Sequence, residues 1–259
     1  MRLLNTMILC FLATVISCGC IAYPSQIDDL LFELPSLSEN DEVIRYPHYV
    51  ISFNETTMVA NWVAYELTSE ETYGTGNRKG MEFIEDLNNN VKQANNLDYK
   101  GSGWRKGHLA PAADFKTDNS TMLETFFYTN CAPQADRFNN SQWNELENRV
   151  RGWARYYGSI FVVTGPFIGE NINGKIGNNQ IVVPDAYFKA LCVLKDEEYH
   201  SIAFLMPNRN DCPPYRNCTL TIDELESITG INFYPSLTEE EKTIDYSFWN
   251  LDSVSVDSN

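Results

Sequence analysis

Three apolar runs limit what this chain can become. "SIFVVTGPF" (159–167), "NNQIVVPDAYFKALCVL" (178–194) and "HSIAFLMPN" (200–208) are rich in β-branched and aromatic residues and are broken by Gly-Pro, charged or Pro-Asn positions. Apolar runs of this kind, closed by turn signals, predict strands. "YVISFN" and "MVANWVAYEL", joined through the turn "NETT", add a hairpin. Two helices interrupt the strand pattern. In "NNSQWNELENRVRGWARYY", Trp143, Leu146, Val150, Trp153, Ala154 and Tyr157 recur at helical spacing, and Asn139 or Asn140 is expected to cap the start. In "TIDELESITG", Thr221 and Glu224 have capping-box spacing and Gly230 is a stop. Helices laid on a central, mostly antiparallel sheet make an α+β domain.

The 259 residues contain no internal repeat and no long linker, so one domain is the simplest account. The N-terminus, "MRLLNTMILCFLATVISCGCIAYPS", has one cation, an apolar run of roughly 13 residues and then small residues, which reads as a cleaved secretory signal over 1–22. It is shorter than the ~20 residues a membrane span needs. "VISC", ending at Cys18, also fits a lipoprotein site, so a lipid anchor is the alternative to a free secreted protein. Residues 23–45 then form a polar lead-in, 46–238 the folded domain and 239–259 an acidic tail. Of seven cysteines, Cys131, Cys192, Cys212 and Cys218 lie beyond the leader. Outside the cell an even number suggests disulfides, with Cys212 and Cys218, flanking "PPYRN", the first pair expected. The lack of any C-x-x-C argues against cysteine-bound metal.

A formal charge of −16 argues against a broad basic surface that coats nucleic acid. The acid is concentrated near the two ends, however. Between Arg78 and Arg155 the cations gather, including Lys79, Lys92, Lys100, Arg105, Lys106, Arg137, Arg149 and Arg151. A local basic cleft in an acidic body is compatible with this pattern.

"GSGWRKGHLAPAADF" (101–115) places a histidine and two adjacent cations just before an apolar stretch. Only His48 and His200 accompany His108 in the chain, and no H-E-x-x-H or G-x-S-x-G spacing supports a zinc protease or a serine hydrolase. A neutral imidazole with a pKa of ~6.5 can take a proton from water at neutral pH.

Several segments occur in an order that resembles the DNA/RNA non-specific endonuclease family, to which endonuclease G and secreted bacterial nucleases belong. They are "GSGW…GHLAPAADF", "ETFFYTNCAPQ…FNNSQWNELE", "VVTGP", "VVPDAYFK", "AFLMPN" and "TIDELESITG". The resemblance implies a ββα-metal active site and hydrolysis of DNA and RNA to 5′-phosphate ends. It implies that His108 is the general base and that Asn139 is the single direct ligand of Mg²⁺, with Mn²⁺ as a substitute. It also gives Asn130 a positioning role and puts Glu147 against a metal-bound water. Phosphate contacts are expected from Lys106, Arg105 and Arg78, and no stable protein partner is implied.

The sequence departs from the family's Asp-Arg-Gly-His at Arg105-Lys106-Gly107-His108. Lys106 keeps one positive charge but loses the planar fork of arginine. Arg105 inverts a charge next to the histidine and is expected to lower its pKa. Gly107 is expected to let the backbone pass close to ion or phosphate. The altered pair also motivates an alternative, a non-catalytic nucleic-acid-binding relative.

Overall fold

A computed structural model describes residues 34–37, 42–170 and 172–251. The expected leader and Cys18 lie outside these residues. Seven strands form one antiparallel sheet: β1 (Glu42–Arg45), β2 (Val50–Asn54), β3 (Val59–Thr68), β6 (Ser159–Phe167), β9 (Ala186–Lys195), β10 (Glu198–Pro207) and β11 (Thr219–Leu220), in that spatial order. β4 (Arg105–His108) and β5 (Cys131–Gln134) pair separately, as do β7 (Lys175–Ile176) and β8 (Ile181–Val182). The expected α+β sheet and the β2–β3 hairpin are present. The run over 178–194 is split, because Pro184 lies between β8 and β9.

Both faces of the large sheet are covered, which is why its strands read as nearly continuous apolar runs. Side chains alternate along each strand. Tyr187, Leu191 and Val193 of β9 join Val63 and Tyr65 of β3 in a core beneath the long helix. Phe188, Ala190 and Cys192 join Trp62 and Ala64 in a second core on the opposite face. That second core is closed by α5 (Ile222–Thr229), whose capping box from Thr221 to Glu224 and left-handed Gly230 stop are as the sequence predicts. The remaining helices are α1 (Asn96–Tyr99), α2 (Asn119–Glu124), α3 (Asp136–Phe138), α4 (Asn144–Tyr157) and α6 (Tyr246–Trp249).

The long helix is α3 and α4 joined through a π turn at Asn139–Trp143. It begins at Asp136, four or five residues before the expected start, and neither Asn139 nor Asn140 caps it. The amide oxygens of Asn208 and Asn210 instead accept from the backbone N–H groups of Ala135 and Arg137 at 2.8 and 2.9 Å. A helix start needs such acceptors, and here they come from the loop after β10.

Three expectations change. The lead-in over 23–45 ends in β1, which pairs with β2 along its whole length. The segment from 239 is no free tail through Leu251. Trp249 is fully buried, its ring 4.9 Å from that of Trp153, and its indole N–H donates to the Ser201 carbonyl at 3.1 Å. No disulfide joins Cys131, Cys192, Cys212 or Cys218 to one another among the described residues. Cys131 and Cys192 lie in different cores on opposite faces of the sheet, so they cannot meet. Cys212 and Cys218 are neighbours that share a thiol hydrogen bond.

Because Trp249 fills the space behind α4, Trp249→Ala is expected to destabilise the fold by about 3–5 kcal/mol, measured by urea unfolding. A loss under 1 kcal/mol would mean that the segment does not belong to the core.

Candidate active site

β4, β5 and the long helix form a ββα unit whose concave side is a polar cleft of about 230 Å³. Arg78, Lys106, His108, Gln134, Asn139, Asn140, Trp143, Asn144, Glu147 and Arg151 line it with the backbone around Ala112. Strand alternation turns Lys106 and His108 toward the cleft and Arg105 away from it. On the helix, Asn139, Trp143, Glu147 and Arg151 follow one another at intervals of four, with the π turn at the first step. Single π turns inside helices occur often at functional sites.

Gln134 joins the two halves. Its amide N–H donates to the His108 carbonyl at 3.4 Å, and its amide oxygen accepts from the Asn139 side chain at 2.5 Å. The Asn139 nitrogen is therefore engaged, which leaves the amide oxygen as the end available to a ligand. Gln134 is fully buried, and a Cβ on Gly107 would come within 2.1 Å of its side chain. Gly107 thus makes room for Gln134 rather than for an ion or phosphate.

The His108 ring lies against Phe83 and Phe126, with centroids 4.5 and 4.7 Å away, and its Nε2 has no protein partner among the described residues. Burial in this aromatic slot, aided by the Arg78 charge, holds its pKa down to about 3. The imidazole is neutral at any ordinary pH. Arg105 plays no part in this. It pairs with Asp136 at 2.6 Å on the surface, outside the cleft lining, and the charge that acts on His108 is that of Arg78 instead. Lys106 donates to Asn96 at 3.0 Å and lies over the rings of Phe83 and Tyr128.

Asn130 does not reach the cleft. It is fully buried, accepting from the Ala110 N–H at 2.9 Å and donating to the Ala110 and Thr125 carbonyls at 2.9 and 2.8 Å. It fixes the backbone just after His108 from behind the cleft rather than lining it. Glu147 lies in the cleft wall. Burial raises its pKa, opposed by Lys189 and then Arg151, while Asp114 adds to the rise and Arg78 opposes it.

His48 and His200 are elsewhere: His48 pairs with Glu71 at 3.5 Å and His200 stacks on Phe248 at 3.7 Å. The sequence reading missed Gln134 and Arg151. Arg151 could have been found, because it lies one turn beyond Glu147 on the same face. Gln134 had no periodic signal. A larger hollow of about 480 Å³ lies by Asn54, Asn61, Trp62 and Ile231, but no ionisable side chain among the described residues lines it, so the chemistry is placed in the smaller cleft.

Two outcomes test this geometry. Gly107→Ala should displace Gln134 and destabilise the protein by about 1–3 kcal/mol in urea unfolding; unchanged stability would mean that Gln134 is not wedged there. In metal-free protein, the NMR titration of His108 should show a pKa well below 5. The unfolded chain accepts a proton near pH 6.5 that the folded site refuses until about 3. This contribution to stability is therefore complete above 6.5 and lost as pH falls, by up to ~1.4 kcal/mol per pH unit. A His108 midpoint near 6.5 would contradict the buried slot.

Comparison with known proteins agrees with this geometry. The family model described as DNA/RNA non-specific endonuclease matches residues 31–240. Mitochondrial endonuclease G of Bos taurus is 33% identical over 202 residues, which cover 73% of this chain and 68% of the relative. Mitochondrial nuclease EXOG of Danio rerio is 31% identical over 211 residues, 76% of this chain and 62% of the relative. The structure of EndoG in complex with EndoGI superposes with a TM-score of 0.76 at 28% identity, covering 85% of this chain and 96% of that one. The mitochondrial names of these relatives overturn the expectation of a secreted or lipid-anchored protein. An N-terminus with Arg2 and no acidic residue through Ser25 suits an organelle leader as well as a secretory one, so its apolar run could not decide between them. The chain belongs to the DNA/RNA non-specific endonuclease family.

Proposed function

We propose that the cleft hydrolyses phosphodiester bonds of DNA and RNA endonucleolytically, with a bound divalent cation, Mg²⁺ or Mn²⁺, and leaves 5′-phosphate and 3′-hydroxyl ends. The observation that carries this reading is the Gln134 bridge, which sets a neutral imidazole and an oriented amide oxygen in one cleft with three cationic side chains. The donor set suits a hard cation. Asn139 offers a neutral oxygen, and no group of three or more His, Cys, Asp or Glu side chains able to hold a metal occurs among the described residues. One amide with water is the coordination that Mg²⁺, reluctant to dehydrate, accepts. Such an ion would supply charge stabilisation on phosphate oxygens and on the leaving group.

The chain's own residues do the rest. His108 accepts the proton of the attacking water at Nε2, the atom that lacks a protein partner. The resulting imidazolium, disfavoured in the empty slot, is favoured beside the anionic phosphorane, so the base strengthens as the reaction proceeds. The P–O3′ bond breaks and the departing oxygen is protonated from solvent. Arg78 and Lys106 face the charge on the phosphate, and Glu147 would hold a water of the cation in place. Contacts to phosphate and sugar carry little sequence information, so cutting is expected at many sequences. The names of the relatives favour a mitochondrial location.

The full-length protein should degrade both plasmid DNA and RNA with Mg²⁺ and lose this activity in EDTA. His108→Ala should reduce turnover by about 100-fold or more, the usual contribution of a general base. Undiminished cutting by His108→Ala or in EDTA would refute the assignment.

A further inference from the structure

Lys189 lies in the middle of β9, 1% exposed, and no role described above uses it. Strand alternation puts its side chain with those of Tyr187 and Leu191, on the face covered by the long helix. Its Nζ lies 3.2 Å from Oγ1 of Thr164, its register partner on β6, and 4.4 Å from the centre of the Trp143 ring. No carboxylate lies within ion-pair distance of it among the described residues. A buried ammonium in this state is costly unless a nearby anion offsets it.

The charges facing this space are few. The helix contributes Glu147 and Arg151, the segment after β4 contributes Asp114, β9 contributes Lys189, and Arg78 stands at the mouth. Arg151 and Asp114 already satisfy each other: they pair at 2.6 Å, with Tyr65 donating to the second Asp114 oxygen at 2.7 Å and Asn148 accepting from Arg151 at 2.7 Å. Glu147 and Lys189, of opposite sign, are the two charges left over behind the mouth, where Arg78 stands. Glu147 is one helical turn beyond Trp143, the residue whose ring the ammonium touches.

We propose that Lys189 is a positioning residue, the buried countercharge that holds the Glu147 carboxylate ionised in the wall of the cleft from beneath. Of the charges that oppose the effect of burial on Glu147, Lys189 is the largest, and Glu147 in turn is the first to support the Lys189 charge. The inference rests on the proposed nuclease reading only for its effect on activity.

The test is a double-mutant cycle on the metal-free full chain, with urea unfolding of wild type, Lys189→Met, Glu147→Gln and the double variant. Each single change leaves one charge without its countercharge, the buried Lys189 or the half-buried Glu147, and should destabilise, while the double variant should recover most of that loss. The expected coupling is at least about tenfold in the unfolding constant. Additive losses would overturn the pairing. If Lys189→Met alone cannot be purified, the double variant should still fold, and its failure would also overturn the proposal. In Mg²⁺-dependent plasmid cleavage, Lys189→Met should lower kcat about tenfold near pH 7 with KM unchanged, and kcat should recover as pH rises and Glu147 ionises without help. A loss of kcat that is the same at every pH would point to a merely structural lysine and overturn the proposal. A wild-type protein without nuclease activity would refute the functional reading and leave the stability cycle to decide the pairing.

Discussion

One amide holds the cleft together. Gln134 reaches the carbonyl of His108 on the neighbouring strand and the side chain of Asn139 on the helix that follows. A hairpin and a helix packed only through apolar contacts could slide by fractions of an ångström at little cost, and such slippage is ruinous to chemistry. A fully buried amide with a partner at each end resists this, because leaving either end unpaired costs about 1–3 kcal/mol. The missing Cβ of Gly107 is part of the same device, since the glutamine occupies that space.

Electrostatics in the cleft follow from what surrounds each charge. His108 is neutral because burial against two phenylalanine rings disfavours its cation, with a guanidinium adding to the effect. The positive face offered to substrate consists of Arg78 and Lys106, while Arg151 in the same lining is neutralised by Asp114. Other cations of the same sequence cluster are engaged elsewhere. Arg105 pairs with Asp136, Arg149 donates to the Asn250 carbonyl and lies over Trp153, and Arg155 donates to Thr72 and lies over Tyr73. A basic cleft in a chain of formal charge −16 is thus made by selection among cations, not by their number.

What could be read from the sequence was whatever is encoded locally. The apolar alternation of β3, the helical stripe of α4 and the Thr221–Glu224 box depend on neighbours a few residues away, and each is found in the structure. His108, Asn139 and Glu147 were legible through their order along the chain, and they do share one cleft. Gln134 and Lys189 were not, because their partners are remote in sequence: Gln134 works between positions 108 and 139, and Lys189 faces a helix some forty residues earlier. The same reason explains the misread helix start, for which the sequence offered two nearby asparagines while the fold uses Asn208 and Asn210. Trp249 was lost among acidic neighbours, although a tryptophan in a polar segment signals a docking point.

The borrowed cap on α3 has a consequence for how this protein can change. Surface connections between strands ordinarily tolerate insertion and deletion. The connection from β10 to β11 is an exception at its beginning, because Asn208 and Asn210 sit there as bonding partners of a helix more than seventy positions upstream. Asn208 also donates to the carbonyls of Pro133 and Pro184, so one side chain ties the 133–135 backbone to Pro184. Variation in length at that point would unpin the helix that presents Asn139, whereas the stretch beyond Asn210 is not bound in this way.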